Sequence, residues 1–221
     1  MKGIYAAMVT AFQEDGSLDE RGIREIVRHN IDHCGVKGLF VGGTMGERYK
    51  MSTAAMKELY HIVADETAGK VDLVANISAL AFEEVLELGA CAKEEGYSRV
   101  AMIAPIFHGY NSEEIVDYYI YIADHISIPL MIYVIPSFSK VDFTESMLVR
   151  LLKHPNIVGL KFTHNDYYLL DRVRVKCPDA ILFTGFDDIL YHALLMGTDG
   201  AIGGTCLLYT SDAADELDGV D

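Results

Sequence analysis

Short apolar runs and longer amphipathic segments alternate along this chain with hardly a break, and that alternation restricts its fold more than any other feature. The spacing predicts strands over residues 5–10, 38–42, 71–77, 99–104, 129–134, 157–162, 181–184 and 200–203. Helices are predicted between them over 19–34, 52–67, 81–95, 112–126, 144–154, 167–177 and 189–196. The helix-to-strand links are short and carry Gly or Pro, as at Gly35, Gly69, Gly96, Pro129, Pro155, Pro178 and Gly197. A repeating strand-then-helix order implies a parallel sheet. Eight such units fit an α/β fold of the closed (β/α)8 barrel type, for which about 250 residues is typical. A doubly wound open sheet needs a glycine-rich turn after its first strand, and Val9-Thr10-Ala11-Phe12 supplies none.

Composition narrows the function. The formal charge is -15 with no basic cluster, which argues against nucleic acid and anionic membrane surfaces as partners. Cys34, Cys91, Cys177 and Cys206 are widely spaced, so neither a disulfide framework nor a zinc site is indicated. The eight histidines are scattered, and His29, His33, His61, His125 and His154 read as helix-face residues; no metal spacing emerges. The N-terminus lacks a signal-peptide profile and no apolar run approaches the ~18 residues of a membrane span, so a cytoplasmic location is expected.

One lysine stands out against this background. Lys161 sits in the run Ile157-Val158-Gly159-Leu160-Lys161-Phe162-Thr163, which reads as a buried parallel strand. Burial disfavours the ammonium form, and a neutral amine is what a Schiff-base nucleophile needs. The alternative is a strand-end lysine whose head reaches solvent. In a barrel the active groups collect where strands end and the following loops begin. That rule gathers Gly42 to Glu47, Tyr133 to Pro136, Lys161 to Thr163, Gly185 to Asp188 and Gly203 to Thr205 at one face.

Four pieces in that order, Gly42-Gly43-Thr44-Met45-Gly46-Glu47, Tyr133-Val134-Ile135-Pro136, Gly159-Leu160-Lys161-Phe162-Thr163 and Gly185-Phe186-Asp187-Asp188, resemble the dihydrodipicolinate synthase and N-acetylneuraminate lyase family of class I pyruvate-dependent aldolases. The likeness covers Met1 to about Thr205. The lyase branch is the nearer one, on Lys161 with Thr163 and on the Gly-aromatic-Asp-acidic turn from Gly185.

The resemblance implies that Lys161 forms an imine with the ketone of a 2-oxo acid and that Tyr133 relays a proton. It implies that Gly43, Thr44 and Met45 bind the carboxylate. Thr163, Gly185, Asp187, Asp188 and Gly204 line the place of a polyol chain. The leading expectation is cleavage of N-acetylneuraminate to pyruvate and N-acetylmannosamine without a cofactor or metal. Two alternatives stay open: a related pyruvate-dependent synthase or dehydratase on another 2-oxo acid, and a barrel that binds 2-oxo or sugar acids without turnover.

Residues close to a helix start or turn also have structural readings. Asp187 or Asp188 could cap a helix, Glu47 reads as a structural hydrogen-bonder, and Tyr133 could be a strand aromatic. Several positions depart from the family pattern. Met45 replaces a hydroxyl, Phe107 and His108 replace a tyrosine pair after the fourth strand, Gly204 replaces a serine, and Asp188 replaces a longer glutamate.

The domain expected is a catalytic barrel over residues 1–205. Residues 206–221 are expected to be a non-native or disordered acidic tail that resembles translated library-adapter sequence. The expected barrel is therefore incomplete at its C-terminus, lacking the eighth helix and a C-terminal helical extension. Full-length relatives are expected to be homotetramers.

Overall fold

The computed structural model describes residues 3–205; the expectation for a tail over 206–221 lies outside the described residues. Eight parallel strands close into one barrel in chain order. They are β1 Gly3–Ala7, β2 Gly38–Val41, β3 Asp72–Asn76, β4 Arg99–Ile103, β5 Leu130–Val134, β6 Ile157–Phe162, β7 Ile181–Thr184 and β8 Gly200–Gly203. Closure is made by β8 pairing with β1, Tyr5 opposite Ile202 and Ala6 opposite Gly203. The helices are α1 Glu20–Asp32, α2 Thr53–Thr67, α3 Phe82–Glu94, α4 Ser112–His125, α5 Pro136–Ser139, α6 Glu145–Leu152, α7 Tyr167–Lys176 and α8 Leu190–Leu195. The (β/α)8 expectation therefore holds over the described residues.

Side-chain alternation along each strand builds two apolar layers. Tyr5, Phe40, Met131, Tyr133, Phe183 and Ile202 fill the barrel interior. Their strand neighbours, such as Leu39, Val41, Ile132, Leu160 and Phe162, pack outward beneath the helices. Strands covered on both faces in this way read as continuous apolar runs. The caps are equally local: Ser52 accepts from the Ala55 amide at the start of α2, and Asn111 with Glu114 forms a capping box on α4.

The largest differences from expectation fall at β1, at two added turns and at the end of α6. Strand β1 is Gly3–Ala7 rather than 5–10. Gly3 and Ile4 pair with Gly200 and Ala201, whereas Thr10 turns away and donates its hydroxyl to the Gly46 carbonyl at 2.9 Å. Two short turns were not anticipated, a 3-10 turn over Arg48–Lys50 and α5 over Pro136–Ser139. Each is shorter than the periodicity a sequence pattern needs. Helix α6 ends at Leu152, which leaves His154 beyond it, with its ring nitrogen 3.0 Å from Asp124.

Candidate active site

The C-terminal ends of β5 and β6 put a phenol and an amine side by side. Tyr133 and Lys161 are direct partners in the β5–β6 register, so both point into the barrel. Each is 3 % exposed. The Lys161 Nζ lies 4.1 Å from the centroid of the Tyr133 ring and 3.9 Å from that of Phe40 on β2. The solvent-reaching alternative for this lysine is thereby ruled out.

Burial dominates the electrostatics. Loss of water lowers the Lys161 pKa from the ordinary lysine value, although Tyr133 and Asp187 act in the opposite sense. For Tyr133, burial pushes the pKa up; the charge of Lys161, with the Thr44 hydroxyl and other polar side chains close by, outweighs it, and the net shift is downward. Each group lowers the cost of the other's charge. The Tyr133 and Thr44 hydroxyls are 3.3 Å apart.

A cavity of about 520 Å³ opens over this pair, walled by Thr44, Met45, Tyr133, Lys161, Thr163, Gly185, Asp187, Asp188 and Gly204, together with Phe138, Ile202 and others. Nine of the ten sequence-chosen site residues thus meet at one opening. The tenth, Gly43, is buried behind it against the Phe40 ring. Gly42 begins the turn with φ +66, a conformation that favours glycine. Among the described residues, the backbone N–H groups of Gly43, Thr44 and Met45 have no backbone acceptor. Successive amides without a backbone acceptor can serve as donors to an anion. Among the described residues, the Thr163 hydroxyl is also buried without a hydrogen-bond partner.

Other candidates separate into different roles. The Asp187 Oδ2 accepts from the Gly204 and Thr205 amides, each at 2.9 Å, and from the Thr205 hydroxyl at 2.8 Å. It ties down the loop after β8. Neither Asp187 nor Asp188 caps α8, whose N-cap is Ile189 without a side-chain bond. Asp188 is exposed at the mouth. Glu47 ion-pairs with Lys50 at 2.6 Å, consistent with its structural reading. Phe107 is 88 % exposed, and neither it nor His108 or Tyr110 lines the cavity. Among the described residues no group of three His, Cys, Asp or Glu side chains could hold a metal, and no helix is long and apolar enough to cross a membrane.

Sequence reading missed Phe40, Phe138 and Ile202. Phe40 resembles any core residue of an apolar strand; only the inward parity it shares with Tyr133 could have singled it out.

A model of the Dihydrodipicolinate synthetase family matches residues 1–216. N-acetylneuraminate lyase of Fusobacterium nucleatum is 40% identical over 205 residues, which span 93% of this chain and 71% of that protein. The N-acetylneuraminate lyase of Clostridium perfringens is 39% identical over the same shares. Among solved structures, CdNal from Clostridium difficile in complex with mannosamine superposes with a TM-score of 0.91 at 38% identity, covering 94% of this chain and 72% of that one.

Proposed function

Because the chain belongs to the dihydrodipicolinate synthetase family, we propose that it is a class I, pyruvate-forming carbon–carbon lyase whose substrate is a 2-oxo sugar acid, N-acetylneuraminate first among them. The observation that carries this reading is the Lys161 nitrogen, buried against the rings of Phe40 and Tyr133.

The chemistry runs as follows. Neutral Lys161 adds to the C2 ketone; loss of water leaves a protonated imine, which is the electron sink. Tyr133 relays the C4 hydroxyl proton, accepting it at its oxygen as it passes its own proton to the substrate carboxylate, while the C3–C4 bond breaks to release the aldehyde and leave an enamine. The relayed proton returns to the enamine at C3, and addition of water to the imine releases pyruvate and free Lys161. No cofactor enters, since the imine itself stores the electron pair.

The substrate carboxylate is held by the amides of Gly43, Thr44 and Met45 with the Thr44 hydroxyl. The unpartnered Thr163 hydroxyl and the exposed Asp188 carboxylate receive the hydroxyl-bearing chain, while Asp187, engaged with Gly204 and Thr205, shapes the wall. The same reading carries a cytoplasmic location and homotetrameric full-length relatives.

Pyruvate release from N-acetylneuraminate, set against a panel of shorter 2-oxo aldols, tests it. Turnover of the sialic acid fastest among them is expected. Preference for a shorter aldol moves the substrate and keeps the reaction, and no pyruvate from any member overturns both.

A further inference from the structure

We propose that Asn76, Ser78 and Arg48, none of which touches the reacting atoms, are positioning residues that hold the carboxylate-binding turn in its working shape; this rests on the aldolase reading above. Three consecutive carbonyls of the turn are held. Gly42 O accepts from Asn76 Nδ2 at 2.7 Å, Gly43 O from the Arg48 amide at 3.3 Å, and Thr44 O from the Glu47 amide at 3.1 Å. In a planar trans peptide the next residue's N–H points opposite to the held carbonyl. These three bonds therefore aim the amides of Gly43, Thr44 and Met45, the same three that lack a backbone acceptor.

Asn76 can donate to Gly42 only with its amide one way round, and a relay sets that orientation. The Ile103 amide donates to Ser78 Oγ at 3.0 Å, and Ser78 Oγ donates to Asn76 Oδ1 at 2.7 Å. The donors all run one way, from the end of β4 through β3 to β2, and such chains reinforce one another inside a protein. Tyr60 adds a bond from its hydroxyl to the Asn76 carbonyl at 2.6 Å.

Arg48 closes the other side. It is 4 % exposed, and its Nε donates to Ser78 O at 2.6 Å and its Nη1 to Met51 O at 3.0 Å. One planar head thus spans two carbonyls and locks the residue whose own amide holds Gly43 O. The three side chains line an adjoining cavity of about 270 Å³ that shares Thr44, Tyr133, Ile135 and Phe138 with the main one, and they do not line the wall around Lys161.

Borohydride reduction of the protein with pyruvate and, separately, with uncharged pyruvamide tests the relay. The concentration giving half-maximal reduction is read for the parent, Ser78→Ala, Asn76→Ser and Arg48→Lys. The last keeps the charge and cannot bridge both carbonyls. Each variant is expected to need about tenfold more pyruvate or higher, the scale of one bond to a charged group, with the pyruvamide value unchanged. A melting curve identifies any variant that fails to fold, and the remaining ones carry the result. Equal change for both ligands, or none for either, overturns the relay alone; no pyruvate adduct in the parent overturns the aldolase reading and the relay with it.

Discussion

A lysine nitrogen faced by two aromatic rings and cut off from water holds its proton weakly, and two predictions follow from that at the residue scale. The folded-state pKa of Lys161 lies below that of the unfolded chain. The folded state therefore binds fewer protons between the two values, and this group's contribution to stability improves as pH rises through that window. Below it the burial penalty is present in full. Lys161→Met should accordingly abolish activity and melt at a higher temperature than the parent at neutral pH, with the gain shrinking in alkaline buffer. A lower melting temperature at neutral pH would contradict a buried, strained amine. The second concerns the phenol. Tyr133 raises the pKa of Lys161, so Tyr133→Phe should shift the onset of imine formation to lower pH while slowing bond cleavage by about 100-fold or more, as loss of an acid–base group does. An onset unmoved in a pH–rate profile would separate the two groups.

At the scale of elements, the site is a set of strand ends held by bonds between loops. Asp187 is the clearest case, since one of its oxygens receives three donors from Gly204 and Thr205. Asp187→Ala should cost about 1–3 kcal/mol and speed hydrogen exchange at the Gly204 and Thr205 amides; unchanged exchange there would show that the loop stands without it. This tie was not legible in the sequence, where an acidic residue before a helix reads equally as a cap or as an acceptor for a sugar hydroxyl. Asn76 and Ser78 were invisible for a similar reason. A polar residue at the end of an apolar strand carries no period, and its value comes from a turn 34 residues away in sequence. Lys161, Tyr133 and the glycine turn were legible because each breaks its local pattern: a cation and a phenol inside apolar runs, and three glycines in five residues.

For the molecule as a whole, alternation alone was enough to anticipate the barrel. Strands buried on both faces and helices with one apolar face admit few other arrangements. The start of β1 escaped because Gly3 looks like a breaker until β8 is there to pair with it. Net charge acts at this scale too. With -15 on the chain, an anionic 2-oxo acid approaches against long-range repulsion. Raising ionic strength from about 0.01 M to about 0.15 M shortens the Debye length from about 30 Å to about 8 Å and should raise kcat/KM; a fall would reveal local attraction stronger than the global field.

Mass spectrometry of the protein reduced with borohydride in the presence of pyruvate addresses the central claim most directly. One pyruvate-derived adduct is expected per chain, on the peptide containing Lys161, and none in Lys161→Met. An adduct spread over surface lysines, or one retained when Lys161 is replaced, would contradict the account.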